Sequence, residues 1–125
     1  MNINQFGCGQ NINIIESDIL RNELDSSYDI IVSNPPYIHP TEINTLDHSV
    51  RYYDPQLALT DGVDGLSFYR RILELSQTML NDGGCIILEF GREDQAEKII
   101  NIFSEFTHSI HCDFSNKPRV IELSR

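Results

Sequence analysis

No apolar run in this chain approaches the ~20 consecutive residues that a membrane-spanning helix needs. The opening Met1-Asn2-Ile3-Asn4-Gln5 lacks the basic-then-apolar order of a secretion signal, so the expected compartment is the cytoplasm. Cysteine is sparse. Cys8, Cys85 and Cys112 are odd in number, far apart and without a Cys-x-x-Cys pair, which suggests neither a disulfide framework nor a zinc site. All three are expected to be reduced thiols, with Cys85 a small core residue. Positive charge is sparse too. Nine Lys and Arg against nineteen Asp and Glu leave a net charge of −10. Duplex DNA is held by cations that displace its counterions, so this balance argues against a nucleic-acid partner, whereas it favours solubility. Repeats and low-complexity segments are absent. What remains is 125 residues of ordinary hydrophobic content (40%), enough for one small globular domain over 1–125.

The pattern along the chain alternates strand with helix. Ile12-Asn13-Ile14-Ile15-Glu16 reads as a short strand. Tyr28 to Ser33 is a β-branched apolar run without polar alternation, as expected of a strand buried on both faces. Residues 38–64 read as a long loop, a length usually tied to function. Gly65 opens a helix whose Leu66, Tyr69, Ile72, Leu73, Leu75, Met79 and Leu80 recur at three- and four-residue spacing. Asn81-Asp82-Gly83-Gly84 ends it, and Cys85 to Phe90 is a second buried strand. Gln95 to Phe106 reads as an amphipathic helix, preceded by Glu93-Asp94, which suits a helix start. Residues 107–113 and 119–124 form two strands joined by Ser115-Asn116-Lys117, close enough to pair as an antiparallel hairpin. The fold class is α/β, a largely parallel sheet ending in that hairpin.

One tetrapeptide carries chemistry: Asn34-Pro35-Pro36-Tyr37, at the carboxyl end of the Tyr28–Ser33 strand, where open α/β sheets bind their ligands. The prolines remove two ladder donors and stop the strand. Asn34 precedes a proline, so its backbone is extended. The Asn34 side-chain oxygen and the Pro35 carbonyl are two acceptors that can hold an NH2 group by both hydrogens. Tyr37 can lie flat on a planar substrate. That arrangement suits methyl transfer to an sp² nitrogen, whose delocalised lone pair gains most from alignment, worth up to ~7–11 kcal/mol of the barrier. Taken alone, the tetrapeptide also reads as a sharp strand-terminating turn. His108, His111 and Cys112 lack a closing ligand set, so no metal site is expected. Arg51 reads as a solvated charge.

In this context the tetrapeptide resembles that of amino-group methyltransferases with a Rossmann-like fold, shared with DNA adenine methyltransferases. Further segments resemble one branch, the HemK/PrmC-like glutamine-N5 methyltransferases of peptide-chain release factors. They are Ile14 to Ile19, Tyr28 to Ile38, Asp54-Pro55-Gln56-Leu57-Ala58-Leu59, Asp64 to Ile72, Gly83 to Glu89 and Arg119-Val120-Ile121, together nearly the whole chain. The resemblance implies the C-terminal portion of a class I S-adenosylmethionine-dependent methyltransferase domain. It implies that Asn34, Pro35, Pro36 and Tyr37 bind and position the substrate glutamine of a release factor's Gly-Gly-Gln loop. It implies S-adenosyl-L-methionine as cofactor, with Asp18 and Ile19 bordering the adenine and Asn34 near the methionine part. Ser17-Asp18 fits a helix N-cap equally well, and one residue can do both. Glu89 is expected to support the site rather than to react.

The chain departs from that family in one respect. The glycine-rich turn after the first strand and the acid after the second, which cradle the cofactor, have no counterpart here. Gly7-Cys8-Gly9 precedes a strand and reads as a turn. The family's helical N-terminal domain has no counterpart either. The expectation is therefore a partial catalytic domain, with an exposed edge at Ile30–Val32 open to a complementing chain or to self-association. The alternatives are a DNA adenine amino-group methyltransferase and a non-catalytic binding fragment.

Overall fold

The computed structural model describes Gly7 and residues 10–125; the Cys8 thiol and the rest of the Gly7-Cys8-Gly9 turn lie outside the described residues. The elements run β1 (Tyr28–Ser33), a 3₁₀ helix (Pro40–Thr45), α1 (His48–Tyr53), α2 (Gln56–Leu59), α3 (Ser67–Met79), β2 (Leu80–Glu89), α4 (Glu93–Ile102), β3 (Thr107–Cys112) and β4 (Pro118–Ser124). The four strands form one sheet in the order β1-β2-β4-β3. β1 and β2 are parallel, and β4 runs antiparallel to both β2 and β3. The α/β class and the terminal hairpin stand as expected; the parallel part of the described sheet is the single β1·β2 pairing.

Strand alternation divides the sheet into a covered face and an open one. Ile86, Leu88 and Phe90 are fully buried and share one core with Leu66, Tyr69 and Ile72 from the α3 region, Ala96 and Ile99 from α4, and Ile121 and Leu123 from β4. Phe103 and Phe106 extend that core past the end of α4 with an edge-to-face contact at 5.5 Å. Sequence periodicity carried this helix on to Phe106, because apolar side chains continue at the right spacing after the backbone has left the helix.

Several expectations change. β1 is an edge strand, with Ile30 57% and Val32 70% exposed, not a strand buried on both faces. Ile31, paired with Ile86, is half-buried and packs against the core. Residues 12–16 pair with no strand among the described residues, and Ile12, Ile14 and Ile15 are exposed. A β-prone run does not make a strand without a neighbour to accept its backbone groups. Residues 38–64 hold the 3₁₀ helix, α1 and α2, none with a buried residue. Helices of four to six residues leave no periodic signature to detect. The α3 helix ends at Met79, and Asn81 to Gly84 form an irregular start to β2, where pairing jumps from Tyr28↔Leu80 to Ile30↔Cys85. Among the described residues, no helix is long and apolar enough to cross a membrane.

Candidate active site

β1 and β2 run parallel and side by side, so the segments leaving them at Ser33 and Glu89 emerge at the same end of the sheet. Asn34 to Tyr37 follow β1 there. Together with Ile38, Ala58 and Leu59 they line a cavity of about 150 Å³. Pro35 is buried, Pro36 half-buried and Asn34 exposed. No side-chain hydrogen bond ties Asn34 to another described residue, and no backbone N–H among them reaches the Pro35 carbonyl. No described residue therefore engages either acceptor read from the sequence. The α2 segment belongs to this wall because the Ile38 N–H donates to the Leu59 carbonyl at 2.9 Å. This hydrogen bond gives the Pro55-to-Leu59 stretch its place beside the tetrapeptide.

Tyr37 joins this cavity to a larger one of about 510 Å³, bordered also by Glu42, Asp64, Glu89, Arg92 and Arg119. Its hydroxyl donates to Glu89 Oε1 at 3.4 Å, a long contact, while the Tyr69 hydroxyl holds the Glu89 carbonyl at 2.7 Å. Burial, then the Glu89 carboxylate, raises the Tyr37 phenol above the ordinary tyrosine value against the opposing pull of Arg119, so at neutral pH it is a protonated donor. Arg119 also donates to the Gly91 carbonyl and to Asp113 Oδ2.

The Tyr37 carbonyl is held by Gln95 and closely approached by Gly65. Gln95, 8% exposed, donates from Nε2 to the Tyr37 carbonyl at 2.7 Å, and its Oε1 accepts from Gly91 N at 3.0 Å and Arg92 N at 3.3 Å. Gly65 also lies so close that a Cβ there would sit 2.5 Å from the Tyr37 oxygen and 3.3 Å from Gln95 Nε2. A Cβ on Gly91 would likewise stand 2.6 Å from two ring carbons of Tyr37. The Asp64-Gly65-Leu66 stretch thus has a physical tie to the tetrapeptide. Sequence reading passed over Gln95; its signal is a glutamine at the third position of α4, a place from which side chains reach back to the helix entry.

Asp61, also passed over, builds the turn that carries Gly65. Its Oδ1 accepts from Val63 N and Gly65 N, each at 2.9 Å, and its Oδ2 from Ser67 N at 2.9 Å. Burial opposes ionisation, but the hydrogen bonds from Ser67, Val63 and Gly65 outweigh it and lower the carboxyl to about 2. A depressed carboxyl stabilises the fold above its unfolded value of ~3.9, and that contribution fades as pH falls through the folded value. Because Asp61 is only partly buried, solvent screening reduces the effect to roughly 1 kcal/mol. We expect Asp61→Asn to lower stability by about that much at pH 7 and to match the wild type near pH 2, read from urea unfolding at a series of pH values.

The other expected site residues lie apart from the tetrapeptide cavity. Ile19 lines an apolar groove of about 290 Å³ under β1, with Leu24, Ile31, Ile72 and Met79, which reaches Ser33 next to Asn34. Its carbonyl is anchored by Arg71 Nε at 2.8 Å. Asp18 is exposed and caps a turn rather than a helix: Oδ1 accepts from Leu20 N at 3.0 Å and its carbonyl from Arg21 N and Asn22 N. No group of three His, Cys, Asp or Glu suited to a metal occurs among the described residues.

A release factor glutamine methyltransferase of Clostridium acetobutylicum is 43% identical over 115 residues, which is 90% of this chain and 39% of that protein. Over its length, this chain resembles the C-terminal part of release factor glutamine methyltransferases. The enzyme of that name from Lactococcus lactis is 42% identical over 90% of this chain. A ribosomal protein uL3 glutamine methyltransferase of Francisella tularensis is 34% identical over 76% of it. The chain spans about two-fifths of the length of the first two relatives. No protein-family model matches it. The mixed open sheet agrees with part of a class I methyltransferase fold.

Proposed function

We propose that this chain is the substrate-holding part of an N-methyltransferase domain that acts on a glutamine side-chain amide, with a peptide-chain release factor as protein substrate. The observation that carries this reading is a pair of acceptors that no described residue engages, Asn34 Oδ1 and the Pro35 carbonyl, on a backbone held at Tyr37. Two acceptors at one end of a parallel pair of strands suit the two hydrogens of a primary amide. Relatives named for two different protein substrates share glutamine as the methylated residue, which supports the amide over the particular protein.

S-adenosyl-L-methionine, when bound, supplies a methyl group on a sulfonium. The described residues fit one flank of it. Ile19 in the apolar groove would meet its adenine, and Ser33 at the end of that groove, with Asn34 next in the chain, its methionine end. Asp18 would reach it only from an exposed turn. Neither the glycine-rich turn nor an acid placed for the ribose is among the described residues, so this flank needs further polypeptide, in the same chain or another, to complete it. Asn34 and Pro35 would hold the amide nitrogen in line with the incoming methyl group; Tyr37 and Glu89 would border the reacting amide.

The test is to incubate the folded chain with labelled S-adenosylmethionine and release factor, with and without a polypeptide supplying the remaining methyltransferase segments. We expect label on a release-factor glutamine only in the complemented mixture. No transfer in either mixture overturns the activity, and transfer to DNA instead would identify an adenine amino group as the substrate.

A further inference from the structure

We propose that Gln95 is the positioning residue of the substrate clamp, setting the register of Asn34 to Tyr37 against the turn that follows β2. This rests on the reading above that Asn34 and Pro35 hold an amide. Gln95 does not line the tetrapeptide cavity, so it acts through Tyr37. Its amide bridges two backbone segments: the oxygen takes the Gly91 and Arg92 N–H groups, and one of the two amide hydrogens reaches the Tyr37 carbonyl, at an N···O distance of 2.7 Å. The Tyr37 carbonyl lies three residues from Asn34 along a stretch stiffened by two prolines. A fixed Tyr37 oxygen therefore fixes where the Asn34 and Pro35 acceptors stand.

Only a side chain with an acceptor on one side and a donor on the other can fill this place. Glutamate has nearly the same shape. Ionised, it keeps the Gly91 and Arg92 hydrogen bonds but turns lone pairs toward the Tyr37 carbonyl. Protonated, it regains a donor. Gln95 borders the larger cavity with Tyr37, and His39, Glu42, Asp64, Glu89, Arg92, Asp94, Lys98 and Arg119 line it too, so the wild type is scanned over the same pH range as the reference.

The experiment measures binding of a glycine-flanked glutamine peptide to the full chain by NMR titration at pH 7.5 and pH 5. We expect Gln95→Glu to weaken binding roughly tenfold at pH 7.5, as an unsatisfied buried partner would, and to recover most of it at pH 5. Gln95→Met, apolar and of similar volume, is expected to weaken binding equally at both values and serves if the glutamate variant does not fold. Wild-type affinity at both pH values in either variant overturns the inference, since a residue that only fills space would behave so. Should the wild type bind no peptide, the amide-holding reading fails by itself. Gln95 is then judged on the Tyr37 carbonyl-carbon resonance, which Gln95→Glu must displace at pH 7.5 and restore at pH 5. An unmoved resonance overturns the positioning role.

Discussion

Asn34→Ala is expected to lower methyl transfer to the release-factor glutamine by roughly 10²–10³-fold in the complemented enzyme, the usual effect of deleting one preorganised polar partner of a reacting group. The same change is expected to leave thermal stability almost untouched. Asn34 is exposed and no side-chain hydrogen bond holds it to another described residue, so nothing in the fold is broken by truncating it. The separation of the two effects is what makes the prediction sharp. A residue that merely terminates β1 would show the reverse, a loss of stability with activity scaled to the folded fraction. Steady-state kinetics alongside a melting curve decides between them. Because alignment of a weakly nucleophilic nitrogen is the gain at stake, the loss is expected mainly in kcat rather than in KM.

Gly65→Ala is expected to destabilise the chain by about 3 kcal/mol, lowering the melting temperature by roughly 10 °C, and to displace the tetrapeptide. Two costs combine. Gly65 has φ +74°, a region that side chains with a Cβ rarely adopt, and the added Cβ would stand 2.5 Å from the Tyr37 carbonyl oxygen. That oxygen cannot retreat freely, because Gln95 holds it at 2.7 Å. Gly62 offers an internal control: its φ of +77° is nearly the same, but its Cβ would meet nothing within 4 Å. Gly62→Ala thus carries the backbone cost alone. Melting curves of the two variants isolate the contact with Tyr37; equal shifts would mean that the contact costs nothing.

Much of the fold was legible from residue order. The α3 stripe from Leu66 to Met79, the β2 run from Cys85 to Glu89 and the closing hairpin each carry their periodicity locally, so the backbone state follows from nearby residues. The tetrapeptide was legible for the same reason: two prolines after an apolar run stop a strand wherever it lies. Burial of the Tyr28–Ser33 run was not, because exposure depends on what covers a face, and Ile30 and Val32 stay largely exposed at the sheet edge. Nor was the state of Ile12–Glu16, whose strand character needs a partner that no local pattern names.

The sequence by itself therefore determined the α/β class, the place where β1 stops, and the chemistry of two acceptors beside a tyrosine. Only the tertiary structure decided what holds them still. Gln95 lies fifty-eight positions beyond Tyr37, and Gly65 approaches it from a turn built by Asp61. Hydrogen bonds and clearances between residues so distant in the chain arise when β1 and β2 align in parallel and bring their ends together. No spacing rule along the sequence encodes that meeting.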